Sequence, residues 1–272
     1  MRRHHYGSEV QIGVSGSWLS GGRYVARSTA YAVELHDLTV LLVHGFNVSP
    51  WNANDAYDTF RINLFDSGAP EELHVVSVGW PGDVAYPSAP TIATDAACAL
   101  ADYIEQLNSP GFERALYIVC HSLGCRYVLE ALRLLQNKPN ARLPRQVTLF
   151  LLAAAVPVEF ADINGRLSGL LPARLHTTVF FSESDWVLRW LFPLGQKASA
   201  DRHTVAIEAV GLRGNPKGVW TGGAMRMARY GHSDYWRSWE IAKQLGEALR
   251  NETRARPLSI PERQIKRRLV GR

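Results

Sequence analysis

One serine stands between an apolar strand pattern and a helical pattern near the middle of the chain. The run 115–119 is rich in β-forming apolar residues, and 126–132 has the apolar spacing of a helix. The pentapeptide CHSLG at 120–124 joins them, with Ser122 at its centre and small residues at its ends. A turn this sharp strains the serine backbone and presents its hydroxyl beyond the carboxyl end of a strand. The pattern therefore predicts a nucleophilic serine, with an ordinary helix N-cap serine as the alternative.

Short apolar segments alternate with longer helical patterns along the chain. Strands are predicted at 31–35, 38–43, 73–78, 116–119, 147–154, 177–181 and 204–210, and helices at 51–66, 88–107, 123–136 and 234–249. Strands that are apolar throughout and separated by helices predict an α/β fold, with a mostly parallel central sheet and helices on both faces. Ligands bind such sheets beyond the carboxyl ends of the strands, which is where the motifs of this chain fall.

The length of 272 residues fits one large domain, because no linker-like segment rich in Pro, Gly and Ser interrupts it. We expect an α/β domain over residues 1–250. A small apolar cap is expected within 186–231, although the aromatic residues there would equally well fill the core. The glycine pair at 222–223 would allow such a cap to move.

The sequence gives no sign of export or of a membrane span. No apolar segment follows the charged residues at the start of the chain, and the longest apolar run, 147–158, is too short to cross a bilayer. Three cysteines make no even set of disulfides and suit a reducing compartment. We therefore expect a cytoplasmic protein.

Positive charge is concentrated at the C-terminal end. Residues 250–272 contain eight Lys or Arg and two Glu, a net charge of +6, so the remainder of the chain carries −1. We expect a basic tail over 251–272 that makes weak contact with nucleic acid or an anionic surface. The alternative is a solvated end with no partner.

Metal and nucleotide sites are not indicated. The histidines lack an H-E-x-x-H pairing, no cysteine pair has the spacing of zinc ligands, and no glycine-rich phosphate loop is present. We therefore expect no cofactor and no metal.

An oxyanion hole is predicted from two loops. The tetrahedral intermediate of acyl transfer needs two preorganised N–H donors. The backbone N–H of Leu123, directly after the serine, would be one donor. The sequence HGFN at 44–47 follows the strand 38–43, and the N–H of Phe46 would be the other. In the alternative interpretation, Gly45 only ends the strand and Asn47 caps the next helix.

The general base is expected late in the chain. Of the nine histidines, only His203 and His232 lie late enough in the chain to be this base. His203 precedes a predicted strand and so falls at the wrong end of the sheet. His232 lies in a glycine-containing loop before the last helix, which suits a base, although a polar helix N-terminus is the alternative.

The acid that orients the base is expected after the strand 177–181. Asp185 is the first choice and Glu183 the second, since a buried carboxylate there would accept the imidazole N–H. A helix cap is the alternative function of Asp185, and Glu159 and Asp162 are weaker candidates for the acid.

The neighbours of Ser122 are expected to be structural. The ring of His121 should point away from Ser122 and pack behind the loop. Cys120 occupies the first position of the pattern G-x-S-x-G, and both Cys120 and Cys125 should be buried small apolar side chains. A cysteine nucleophile is a weak alternative.

These residues together resemble the α/β-hydrolase superfamily, and most closely a bacterial family of uncharacterised α/β hydrolases. That family has an H-G-[FY]-N loop, an [ND]-A helix start, a W-P turn and an H-S-[ML]-G elbow. The matching residues here are 44–47, 55–56, 80–81 and 121–124, with Asp185 and His232 at the positions of its S-x-x-D motif and late histidine. The resemblance implies hydrolase chemistry but no particular substrate.

The expected activity is hydrolysis of a carboxylic ester or thioester, a small-molecule substrate, through an acyl-enzyme on Ser122. Phe46 and Leu123 would hold the oxyanion, and His232, oriented by Asp185, would move the proton. A non-catalytic or weakly catalytic binding module is an alternative, because the elbow is irregular and the tail is basic. An acyltransferase, in which an alcohol or amine replaces water, is another.

Overall fold

The computed structural model describes residues 8–11, 17–19, 23–25, 36–48, 50–82, 88–108, 115–171, 173–199, 208–215 and 220–255. The strands are β1 Ser8–Gln11, β2 Ser17–Leu19, β3 Arg23–Val25, β4 Thr39–Val43, β5 His74–Gly79, β6 Ala115–His121, β7 Gln146–Leu152, β8 Leu175–Phe181 and β9 Ala224–Arg226. The helices are α1 Pro50–Asp66, α2 Ala89–Leu107, α3 Leu123–Asn137, α4 Val158–Ala161, α5 Phe192–Ala198, α6 Val210–Arg213 and α7 Trp239–Ala255, with a π-helix at Val187–Leu191 and a 3₁₀ turn at Tyr235–Arg237.

A seven-stranded sheet organises the described residues. Its order is β1-β5-β4-β6-β7-β8-β9, and every neighbouring pair is parallel. Strands β2 and β3 form a separate antiparallel pair. The predicted α/β architecture with a parallel sheet is therefore confirmed.

The central strands are buried on both faces. Every residue of β4, β5 and β6 is buried, which explains why these strands are apolar throughout and do not alternate. Helix α2 packs against α3, and α1 packs against α7. The register places Val43 at the end of β4 beside Cys120 of β6, so the loops that follow these two strands begin at the same level. That level is the carboxyl edge of the sheet.

Most predicted elements between 38 and 181 are confirmed with boundaries within about two residues, the uncertainty usual for such assignments. The predicted strand at 31–35 lies outside the described residues. The predicted helix at 234–249 is divided, because the Oγ of Ser238 accepts a hydrogen bond from the N–H of Ile241 and α7 begins there. The helix continues to Ala255, and residues 256–272 of the basic tail lie outside the described residues.

The predicted strand at 204–210 is wrong in the part that the structure describes. Val210 begins α6, and the edge strand of the sheet is β9 instead. The N–H of Gly211 donates to the carbonyl of Ala154, and a Cβ on this glycine would lie 2.2 Å from the Ala154 nitrogen. The chain thus crosses the end of β7 at close range, which the apolar character of the segment did not reveal.

No helix in the described part of the chain combines the length and the apolar character needed to span a bilayer.

Candidate active site

Ser122 is the one residue between β6 and α3, so the chain turns from strand to helix at this position. Its backbone has φ 53° and ψ −125°, a strained conformation for a residue with a side chain. Its N–H donates to the carbonyl of Leu152, and its carbonyl accepts the N–H groups of Ala155 and, within the first turn of α3, of Cys125. The strain is therefore held by the neighbouring strand β7 and the loop after it.

Two glycines allow the loops at this edge to meet. A Cβ on Gly124 would lie 2.1 Å from the carbonyl oxygen of His44. A Cβ on Gly45 would lie 2.9 Å from the Cβ of Ser122. Both distances are shorter than real Cβ contacts, so any larger residue would push the loop after β4 away from Ser122.

The hydroxyl of Ser122 begins a chain of hydrogen bonds. The distance from its Oγ to Nε2 of His232 is 2.9 Å, and Nδ1 of His232 lies 2.8 Å from Oδ2 of Asp185. The other carboxylate oxygen of Asp185 accepts the N–H of Leu188 at 3.0 Å. Because a carboxylate can only accept, His232 carries its proton on Nδ1, and Nε2 accepts the serine hydroxyl.

Glu183 and Asp162, which were also considered for the acid, have other partners. Glu183 is exposed and pairs with Arg226 at 2.6 Å, whereas Asp185 is fully buried. Asp162 accepts the backbone N–H of the residue that follows it. His203 lies outside the described residues.

The loop that carries His232 is fixed from several sides. Oγ of Ser182 donates to the carbonyl of Tyr230 at 2.8 Å, and the carboxylate of Asp234 accepts the N–H of Gly231 at 2.7 Å. Nε2 of His121 lies 2.7 Å from the carbonyl oxygen of His232, so His121 donates from Nε2. The ring of His121 thus holds the backbone of His232, a specific contact that the sequence did not indicate.

His121 is held in its neutral form. Burial, with the nearby His232 and His44 as smaller causes, lowers its pKa from 6.5 to about 3, against the opposing effect of its hydrogen bond to the His232 carbonyl. The two rings are 4.9 Å apart between centroids. A neutral ring at this position places no positive charge beside His232.

Replacing His121 by glutamine should flatten the fall in stability below pH 6.5. The unfolded chain protonates this imidazole at about pH 6.5 and the folded chain only at about pH 3. Unfolding therefore takes up a proton in this window, and acidification from pH 6.5 to 5 should cost wild type about 2 kcal/mol that the variant does not lose. Urea unfolding at both pH values measures this difference.

The exposed His176, replaced by glutamine, is the matched control and should leave the pH dependence as it is in wild type. An equal loss of stability on acidification in wild type and in the His121→Gln variant would contradict the assignment of a neutral buried His121.

The loop after β4 is held by a tryptophan. The indole N–H of Trp80 donates to the carbonyl of His44 at 2.8 Å, and its backbone N–H donates to Nε2 of His44. The N–H of Asn47, a residue with φ 54°, donates to the carbonyl of Gly82. The W-P turn at 80–81 therefore positions the loop that contains Phe46, which lies at the cavity beside Ser122.

Leu123, the other residue predicted for an oxyanion hole, is the first residue of α3 and is buried. Cys120 is also buried, and burial raises the pKa of its thiol. The hydrogen-bond contact of its sulfur is with the carbonyl of Phe150, inside the core. A thiol in this position is neutral and lies away from the cavity, which gives no support to a cysteine nucleophile.

Two cavities meet at this edge. The larger, of about 670 Å³, reaches Ser122 and His232 and has mostly apolar walls from the π-helix and α5. The smaller, of about 480 Å³, has the polar side chains of Asp55, Thr59 and Arg237 in its wall. His121 lies between them, since it contributes to both walls.

In the segment predicted to form a cap, some apolar side chains line the larger cavity and others are exposed to solvent. Leu191 and Phe192 line the larger cavity, whereas the side chains of Trp186 and Trp190 are exposed. Of the glycine pair at 222–223, Gly223 precedes the edge strand β9, and its carbonyl accepts the N–H of Val179 in β8. No group of three or more His, Cys, Asp or Glu side chains among the described residues could hold a metal ion.

The family model for alpha/beta hydrolases of unknown function (DUF900) matches residues 29–199, which is more than half of the chain. The protein belongs to this alpha/beta hydrolase family. The matched range includes Ser122 and Asp185 of the hydrolase and ends before His232. No curated protein matches the chain.

Solved structures that are similar to this one include proteins described as hydrolases. The RedJ thioesterase of the prodiginine biosynthetic pathway in Streptomyces coelicolor is 16% identical, with a TM-score of 0.45 over 81% of this chain and 91% of that one. An a/b serine hydrolase without lid from Xanthomonas campestris is 14% identical, with a TM-score of 0.41 over 85% and 87%. An uncharacterised protein from Bacillus cereus is 12% identical, with a TM-score of 0.49 over 83% and 63%.

Proposed function

We propose that this hydrolase cleaves carboxylic esters or thioesters through an acyl-enzyme on Ser122. The observation that carries the proposal is the chain of hydrogen bonds from Asp185 through His232 to Ser122, at the edge of an apolar cavity. Nε2 of His232 carries no proton and faces the serine hydroxyl, which is the arrangement that a general base needs.

In the first step, the Ser122 oxygen attacks the acyl carbon while its proton passes to Nε2 of His232. The negative charge that develops on the carbonyl oxygen is stabilised by the N–H groups of Phe46 and Leu123. Asp185 stabilises the imidazolium that forms. Collapse of the intermediate breaks the bond to the leaving group, which takes the proton from His232, and the acyl group remains on Ser122.

In the second step, water replaces the leaving group. His232 takes a proton from water as it attacks the acyl carbon, the same two N–H groups stabilise the second oxyanion, and the ester bond to Ser122 breaks. The proton on His232 returns to the Ser122 oxygen, and the carboxylic acid is released. An alcohol or amine that reacted in place of water would give a new ester or amide, so the products distinguish hydrolysis from acyl transfer.

The two cavities suggest which part of the substrate lies on each side. The cavity of about 670 Å³ has mostly apolar walls, which suit an acyl chain. The smaller cavity offers a carboxylate, a hydroxyl and a guanidinium from Asp55, Thr59 and Arg237. We assign the acyl chain to the larger cavity and a polar leaving group to the smaller one.

Lengthening the acyl chain of p-nitrophenyl esters from acetate to octanoate should raise kcat/KM. Each methylene buried in an apolar cavity contributes about 0.8 kcal/mol, which is up to about fourfold per carbon until the cavity is full. Gly195 of α5 lines the cavity, and Gly195→Phe should flatten the series because the ring takes the place of the chain. Steady-state kinetics on each ester measures this effect.

Gly195→Ala is the matched control, since it makes the same backbone change with far less volume and should leave the dependence on chain length in place. A series that is flat in wild type, or unaffected by the phenylalanine, would refute the assignment of the larger cavity to the acyl chain.

A further inference from the structure

An exposed apolar stripe runs along the segment that walls the larger cavity. Trp186, Trp190 and Leu194 are four residues apart, and their exposed fractions are 58%, 65% and 63%. Residues four apart share one side of a helix, and the π-helix and α5 follow each other without a break. The stripe is therefore one continuous surface, defined here by these three residues.

The stripe is continuous with the cavity beside Ser122. Leu191 lines the cavity and is also 47% exposed, and Leu194 belongs to both surfaces. The same segment thus presents apolar side chains inward to the cavity and outward to solvent. The remaining large exposed apolar side chains of the described residues form no comparable stripe, because Ile62 is on α1, Ile163 follows α4 and Trp239 is on α7.

The charges along the stripe have one sign. Arg189 and Lys197 are exposed and follow stripe residues by three positions, so they flank it. The range 186–199 contains no Asp or Glu. Arg189 donates to the backbone carbonyl of Glu183, whose carboxylate is paired with Arg226. The segment 186–199 therefore combines two exposed indole rings with two cationic side chains and has no carboxylate of its own.

Exposed tryptophans together with Lys and Arg are typical of helices that lie in the interface of a membrane. Tryptophan rings locate at the level of lipid headgroups, and Lys and Arg are attracted to anionic lipids. A second copy of the chain fits less well, because pairing two stripes would bring Arg189 and Lys197 of both copies together.

We propose that the stripe docks the protein on an anionic lipid surface, and that the larger cavity takes its acyl chain from a lipid ester at that surface. The second part rests on the proposed acyl hydrolysis, whereas the docking does not. Leu191 and Leu194 connect the lipid surface to the cavity, so an acyl chain would pass between them without crossing water.

Docking is tested by co-sedimentation of the full chain with vesicles, in a Ser122→Ala background that prevents turnover. Binding is expected to vesicles of phosphatidylcholine with phosphatidylglycerol, and to be weaker with phosphatidylcholine alone. The double variant Trp186→Ser, Trp190→Ser should reduce the partition coefficient by at least about tenfold, since two indole rings no longer enter the interface. Trp239→Ser, at a tryptophan of α7 that is 48% exposed, is the matched control and should bind normally.

Substrate delivery is tested with Ser122 intact. The tryptophan double variant should keep its kcat/KM for dissolved p-nitrophenyl butyrate and lose at least about tenfold on a long-chain ester embedded in the anionic vesicles. Unchanged vesicle binding by the double variant would overturn the docking. A wild-type protein that does not bind vesicles but forms a dimer, which the two substitutions convert to a monomer, would overturn it as well. Vesicle binding through the tryptophans with no turnover of either ester would refute the proposed hydrolysis and leave the docking standing.

Discussion

The Ser122→Ala variant is expected to lose at least about 10⁴-fold in kcat on p-nitrophenyl esters, with KM changed little. In the proposed mechanism the Ser122 oxygen forms the acyl-enzyme bond in the first step and releases it in the second, and among the described residues its hydroxyl is the group hydrogen-bonded to Nε2 of His232. The residual rate would come from the N–H groups of Phe46 and Leu123, which are proposed to stabilise the oxyanion, acting on bound substrate and water. Initial rates at saturating ester, compared with the uncatalysed rate in buffer, measure the effect.

The fold should survive this change. Alanine at φ 53° is as strained as serine, and the backbone hydrogen bonds that fix position 122 do not involve the hydroxyl. A thermal midpoint within a few degrees of wild type would show that the loss is chemical. If the folded alanine variant kept more than about a tenth of the wild-type rate, Ser122 would not be the nucleophile.

The Asp185→Asn variant is expected to lose about 10³- to 10⁴-fold in kcat. The carboxylate accepts two donors, the N–H of Leu188 and Nδ1–H of His232. An amide has one oxygen, so if that oxygen keeps the bond to Leu188, its NH₂ group faces the histidine. His232 must then carry its proton on Nε2, where it can no longer accept the proton of Ser122.

Glu183→Gln is the matched control for this substitution. Glu183 is two positions away, is exposed and is paired with Arg226, so its change should alter kcat by less than about twofold. The pair of variants decides between the two carboxylates that follow β8. A large loss with Glu183→Gln and a small one with Asp185→Asn would reverse the assignment.

The fold was accessible from the sequence because burial on both faces leaves a clear pattern. The strands β4 to β7 are mostly apolar, and the long helices α1, α2 and α3 show their period. The strand at the edge of the sheet beside β8 could not be predicted from the sequence. Whether the segment at 208–213 runs beside β8 or crosses the end of β7 depends on the close approach of Gly211 to Ala154, a tertiary contact without a local pattern.

The position of Ser122 was predictable because a strand-to-helix turn of one residue favours small side chains two positions before and after it, here Cys120 and Gly124. The sequence could predict that Asp185 and His232 lie at the same edge of the sheet, because both follow strands whose carboxyl ends meet there. The preference for Asp185 over Glu183 depends on which side chain turns inward, and the sequence only ranks them.

The parts of the site that the sequence did not reveal are contacts between distant loops. The bond from His121 to the carbonyl of His232 joins residues 111 positions apart, and the ring was expected only to pack behind the loop. Trp80 was noted as part of a motif, but its two hydrogen bonds to His44 follow only from the packing of β5 beside β4. Such contacts carry no periodic or compositional signal.

The most direct test of the reactive serine is intact-mass spectrometry after incubation with a fluorophosphonate, followed by peptide mapping. Wild type should gain the mass of one phosphonyl group, located on Ser122, and the Asp185→Asn variant should react far more slowly. The absence of any adduct on the folded wild-type protein, or an adduct that persists in the Ser122→Ala variant, would contradict the account.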